Sequence, residues 1–191
     1  MFKFCEFILT FGYLGNIKKA PGTLGSIGAL FFWLVITKIF FIQNFSIFFQ
    51  NFLWFLIVMI MTIFAVKKID FYVEKLAKKS KNIKLPIKLP GASKNQEIDN
   101  QTIVLDEVVG QIIALQISIN LIGESYFLQP KIIIIHLLLS LILFRFFDIK
   151  KPSIIGVIDR KMKNSFGVMF DDILGGIIAG CLVLFILTYI S

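Results

Sequence analysis

An all-α fold, a bundle of about five apolar segments of which four or five span a membrane, is what this sequence predicts. Three observations predict it. The 191 residues are 57% hydrophobic with a mean hydropathy of +0.85, too apolar for an ordinary soluble domain. The apolar residues gather into runs near the roughly 20 residues that a helix needs to cross hydrocarbon. All of the 20 Lys and Arg except Lys38 and Lys131 fall within 1–26, 67–106 and 145–172. With the N-terminus inside, these regions share one face of the membrane, as the positive-inside rule requires.

Residues 1–19 read as a short amphipathic lead-in lying in the interface. They superficially resemble a signal peptide, but Glu6 interrupts the apolar run and no small-residue cleavage site follows, so the stretch is expected to stay attached. Ala20–Ser26 is a turn that opens a helix. Segment one is about Ser26–Ile42 and segment two about Ser46–Val66, with Gln43 and Asn44 as the tight turn between them. Residues 67–98 change character. Their Lys-rich first half extends a helix into water, and Pro86, Pro90 and Gly91 mark a loop. Segment three, about Glu107–Ile122, is marginal in apolarity because Gln111, Gln116 and Asn120 recur along it. Gly123–Pro130 is a turn, segment four is about Ile132–Phe147, and segment five about Ile173–Ile190. Segment three or four is the candidate for a helix buried in the bundle without spanning. There is no internal repeat, and 1–191 reads as one domain.

The net charge of +8 suits nucleic acid or an anionic membrane. Because the Lys residues lie between apolar runs, membrane lipids are the expected partner and nucleic acid is not. Lys67, Lys68, Lys78, Lys79, Lys81 and Lys84 are assigned to headgroup attraction. The 22 Phe reflect compositional bias. Cys5 and Cys181 form no CxxC and are expected to be reduced packing residues. His136 is the only histidine and lies mid-segment, where helix–helix hydrogen bonding is its expected role. Its solitude excludes phosphatases that use several histidines. No Cys precedes an Arg at the spacing of cysteine phosphatases, and no AspXxxAspXxxThr motif is present. Any phosphoryl chemistry must rest on carboxylates and a metal.

Carboxylates are what the sequence supplies. Asp106 and Glu107 open segment three, and Asp171 and Asp172 open segment five. Either pair alone would be an N-cap and first-turn acid favoured by the helix dipole. Two pairs on one face, with Asp99, Asp148 and Asp159, form the oxygen-rich set that suits Mg²⁺. Arg145, Lys150, Lys151 and Arg160 are the counter-charges, fit either for phosphate or for anchoring at the interface. Thr23 and Ser26, in a Gly-containing turn before a helix, offer hydroxyls to an anion, although ordinary capping by Thr23 explains the turn as well.

These motifs together resemble the phosphatidylglycerophosphatase A family. Four blocks match in order: Phe11–Ser26, Asp99 with Ile103–Gly110, Phe144–Pro152 and Asp159–Gly180. The resemblance implies an all-helical bundle in the bacterial inner membrane with its site facing the cytoplasm. It implies Mg²⁺-dependent hydrolysis of phosphatidylglycerophosphate to phosphatidylglycerol and phosphate. Carried over by position, Asp106, Glu107, Asp148, Asp171 and Asp172 are the catalytic acids. Asp106, Glu107, Asp171 and Asp172 hold the metal, with Asp99 and Asp159 as further candidates. Arg145, Lys151 and Arg160, with Thr23 and Ser26, bind the substrate phosphate. Two departures stand out. The Lys-rich stretch before Asp99 is longer than usual, and Asn164–Gly167 stands where two adjacent glycines are common. The rivals are another metal-dependent lipid-headgroup enzyme and a divalent-cation transporter or channel. A CDP-alcohol phosphotransferase would carry an AspGlyXxxXxxAlaArg signature, absent here. A transporter would set its acids deep within the spans, whereas the expected boundaries put them at span ends. The oligomeric state is not legible.

Overall fold

The computed structural model describes residues 2–79, 102–119, 129–152, 155–156, 162 and 164–190. It is all-α, with no strand among the described residues. The α-helices bounded within the described residues are α1 (Phe2–Leu9), α2 (Pro21–Ile42), α3 (Ile47–Lys79), α4 (Leu105–Ile119), α5 (Pro130–Lys150) and α6 (Ser165–Ile190). Four of them are long and apolar enough to cross a membrane, namely α2, α3 as far as Leu76, α5, and α6 as far as Tyr189. They carry large apolar side chains outward, among them Phe31, Phe48 and Phe55. Lipid tolerates such a surface and water does not.

Segment three is the helix that differs. It lies at the centre, packed against α2, α3, α5 and α6, with Val108, Gln111, Ile112, Leu115 and Ser118 all buried. Of the polar residues that lower its apolarity, Gln116 holds it there, and Ser118 does the same. Trp33 Nε1 of α2 donates to Gln116 Oε1 at 2.9 Å, and Gln116 Nε2 donates to Asn51 Oδ1 of α3 at 2.6 Å. Ser118 Oγ lies 2.6 Å from His136 Nε2 of α5, so His136 joins two helices as expected. Such bonds tie helices together where apolar contact alone gives little preference.

The hairpin between α2 and α3 turns at Asn44 in the left-handed region, φ 55°, which Asn tolerates. Trp54 Nε1 donates to Thr37 Oγ1 across it at 3.2 Å. Helix α3 continues past Val66 to Lys79. The loop expected after it lies outside the described residues, as do Asn120 and the 123–128 part of the expected turn. The lead-in packs onto the bundle: Phe2 stacks on Tyr72 at 5.5 Å, Cys5 and Leu9 are buried, and the Val104 N–H donates to the Leu9 carbonyl at 3.0 Å. Cys181, by contrast, is exposed, because α6 turns that face outward.

Two helix starts differ from expectation. Helix α2 begins at Pro21, with Pro at its first position and Ala20 as an N-cap without side-chain bonding. Thr23 is therefore inside the helix and caps nothing. Helix α6 begins at Ser165, eight residues before Ile173, because Asn164 Oδ1 accepts the Gly167 N–H at 2.8 Å. Asn at this position is a strong start signal. Gly167 is needed there, since a Cβ would lie 1.7 Å from the Met162 carbonyl oxygen.

Candidate active site

The site depends on how closely α4 and α6 approach. A Cβ on Gly176 would stand 2.2 Å from the Gly110 carbonyl oxygen, and one on Gly180 would stand 2.9 Å from the Ala114 carbonyl oxygen. Only hydrogen at these positions lets the two backbones touch. One turn before Gly110 is Asp106, and one turn before Gly176 is Asp172, so the glycine contact carries the two acids together. One oxygen from each of Asp106, Glu107 and Asp172 lies within 4.8 Å of the others.

The earlier start of α6 corrects the placement of its acids. Asp171 and Asp172 do not open the helix; they lie about two turns inside it and are buried, each 3% exposed. A capping role is removed for this pair, and so is the contrast with a transporter that rested on acids at span ends. Asp106 and Glu107 do fall in the first turn of α4.

Burial pushes the Asp106 carboxyl well above the ordinary carboxylate range, and the adjoining Glu107 charge adds to it. Glu107 is pushed up to about 7, first by burial. The nearby Asp172 and Asp148 charges also raise it, while a hydrogen bond to Asp106 and the Arg145 charge pull it down. Asp106 Oδ1 and Glu107 Oε2 are buried with no hydrogen-bond partner, an arrangement that folded proteins rarely keep without a use.

The bases stand around this cluster. Arg145 NH1 donates to Asp148 Oδ2, and Lys151 Nζ donates to Asp171 Oδ2. Lys151 reaches it from the C-cap of α5, in the left-handed conformation at φ 41°. The Arg145 Nε is buried and has no acceptor. Helix α2 closes the site through Gly22, where a Cβ would lie 2.2 Å from Glu107 Oε1 and 3.1 Å from Arg145 NH1.

Of the residues singled out in the sequence, Asp106, Glu107 and Asp172 converge, while Asp148 and Asp171 flank them, each paired with a base. Ser26 is buried and donates to the Gly22 carbonyl at 3.1 Å, so its hydroxyl proton is committed within α2. Asp99, Asp159 and Arg160 lie outside the described residues. Gly110 and Gly176 carried no role in the sequence reading, and Gly22 was taken only as part of a turn. That reading also passed over Asp70, whose Oδ1 accepts from Ser165 Oγ and ties α3 to the start of α6. The glycines had a signal, small residues four apart in Gly110–Ala114 and Gly176–Gly180; Asp70 had none.

The three convergent acids pass a test of fit for a hard divalent cation. They offer oxygen donors only, two with an unpartnered buried atom, as Mg²⁺ prefers. With Asp148 and Asp171 there are five carboxylates beside two bases among the described residues.

Comparison with known proteins bears on what such a site does. The family model described as phosphatidylglycerophosphatase A matches residues 89–187. A protein of Haemophilus influenzae named phosphatidylglycerophosphatase A is 38% identical over 91 residues, 48% of each chain. An uncharacterized protein of Methanocaldococcus jannaschii is 36% identical over 89 residues, 46% of this chain and 52% of its own. The chain thus spans about half the length of the curated relatives it matches. No solved structure matches it. The family match takes in three of the four motif blocks and leaves out Phe11–Ser26, the block that reaches the acids through Gly22.

Proposed function

Because the chain belongs to the phosphatidylglycerophosphatase A family, we propose that it removes the terminal phosphate of phosphatidylglycerophosphate, releasing phosphatidylglycerol and inorganic phosphate in phospholipid biosynthesis. The observation that carries the reading is the convergence of Asp106, Glu107 and Asp172 beside an Arg145 whose Nε lacks an acceptor. Carboxylates without a cation would repel a phosphate; the same carboxylates around Mg²⁺ would receive one.

Asp106, Glu107 and Asp172 would hold Mg²⁺. Bound there, the ion would supply Lewis-acid polarisation of the phosphate and of a water. Arg145 is held at NH1 by Asp148 and offers its Nε–H to a phosphoryl oxygen, where it neutralises charge that builds as the bond to glycerol oxygen breaks. Lys151, steadied by Asp171, adds a second positive charge at the rim. The first turn of α2 brings the positive end of a helix dipole to the same place. In the net hydrolysis the oxygen of a water ends on the phosphate, one of that water's protons goes to the departing glycerol oxygen, and the acyl chains stay in the bilayer. The four apolar helices support a membrane setting, and the Lys and Arg distribution supports a site facing the cytoplasm of a bacterial inner membrane.

The test is phosphate release by the purified full chain from phosphatidylglycerophosphate in detergent micelles, with Mg²⁺ and with EDTA. Mg²⁺-dependent release, lost in Asp106→Ala and Asp172→Ala variants that still insert, is expected. Normal turnover in both variants would sink the assignment.

A further inference from the structure

Gln111 is 0% exposed, and both its amide oxygen and its amide nitrogen are buried without a hydrogen-bond partner. It lies one turn further along α4 from Glu107, on the same face. Ser140 of α5 is also 0% exposed with an unpartnered hydroxyl. The α4–α5 register is set at two points, Gly110 against Phe144 and Ser118 against His136. That register puts Ser140 opposite Ala114, within one turn of Gln111. By that register Gln111 and Ser140, with three unpartnered polar atoms between them, lie within about a turn of each other, and Glu107, four residues before Gln111, also has an oxygen without a partner. Buried amides and hydroxyls are kept when water or a ligand satisfies them.

We propose that Gln111 is a positioning residue for the cation site: with Ser140 it holds water beneath Glu107 and fixes how that carboxylate presents its oxygens. The inference rests on the cation reading above. A second layer of polar partners of this kind typically changes metal affinity by about 10–100-fold.

The experiment is titration of Mn²⁺ into the full chain in detergent, followed by electron paramagnetic resonance with Mg²⁺ competition, beside cation-free melting. Gln111→Met keeps the volume and removes the amide. It is expected to weaken Mn²⁺ binding about tenfold while cation-free melting stays level or rises, because an unpartnered polar group has gone. Ser140→Ala, on the other helix, is expected to weaken binding in the same direction by a smaller factor. Unchanged affinity in both variants, or affinity and cation-free melting falling together, would overturn the proposal. Wild-type protein that binds no more Mn²⁺ than Asp172→Ala would bring down the cation reading itself, and this inference with it.

Discussion

Gly110 and Gly176 face each other across the α4–α6 crossing so closely that neither has room for a methyl group. A Cβ on Gly110 would meet the Phe144 ring at 2.5 Å and the Asp172 carbonyl oxygen at 2.6 Å, and one on Gly176 would meet the Gly110 carbonyl oxygen at 2.2 Å. Both obstacles include backbone, which cannot swing aside. The spacing of the acids one turn away is thus written into two residues with no side chain.

Gly176→Ala is therefore expected to push α6 off α4 and carry Asp172 away from Asp106. Overpacking of this kind costs about 1–3 kcal/mol, offset in part by the better helix propensity of Ala. The larger effect falls on cation binding, because three oxygens must be held at once. Mn²⁺ titration beside thermal melting in detergent separates the two. A variant that binds the cation as tightly as wild type would show that the crossing does not set the site.

Arg145→Lys keeps the charge and the neighbour Asp148 but removes the planar fork and its Nε–H. If that edge receives the phosphate, kcat/KM should fall by about 10²–10³-fold, the usual loss for one donor to a developing oxyanion, while cation affinity changes little. Steady-state kinetics beside Mn²⁺ titration would tell. Equal loss in both would make Arg145 a structural partner of Asp148 alone.

Much of this was legible before the structure. Apolar runs gave the long helices, since period and length are local properties of the chain. Asp106, Glu107 and Asp172 stood out as carboxylates where a membrane chain has few. What the sequence hid was non-local. The start of α6 hung on Asn164, noticed only as a departure from a glycine pair, and the two-turn shift moved Asp171 and Asp172 into the interior. Gln116 weakened segment three as a span, yet it bonds Trp33 of α2 and Asn51 of α3, which appears only when the neighbouring helices are in place. Thr23 and Ser26 lie inside α2 and not in a turn before it, because Pro21 starts the helix earlier than the Gly-containing stretch suggests.

Lys151 and Asp171 form a pair in which the acid is almost wholly buried and the base is partly exposed, side chains 4% and 29%. Removing the base alone strands a buried carboxylate, so Lys151→Met should destabilise the protein by a few kcal/mol at neutral pH; buried pairs broken on one side lose about 3–5 kcal/mol, and the exposure of Lys151 lowers that figure. Asp171→Asn in the Lys151→Met background removes the stranded charge and should restore much of the loss. Chemical or thermal unfolding of the four proteins in a double-mutant cycle measures the coupling. Additive effects would mean that the pair does not hold α5 to α6.

The raised Glu107 makes the stability of the cation-free protein depend on pH with a definite sign. Its carboxyl rises from an ordinary 4.5 to about 7 on folding, so between those values the folded state holds a proton that the unfolded state has lost. Stability must then decrease as pH climbs through that window, with the full penalty of a buried charge present above about 7. Asp106, raised in the same direction by burial, adds to the slope. A cation reverses the trend, because it binds the ionised carboxylates and displaces their protons, so its affinity and its stabilisation both grow as pH rises. Melting in detergent at about pH 5 and about pH 8, with EDTA and with Mg²⁺, tests both halves. The EDTA sample should melt lower at the alkaline pH, and the gap closed by Mg²⁺ should be wider there. An EDTA melting temperature that rises toward alkaline pH would mean that these carboxylates are ionised and paired in the folded protein, and that the cluster needs no cation to exist.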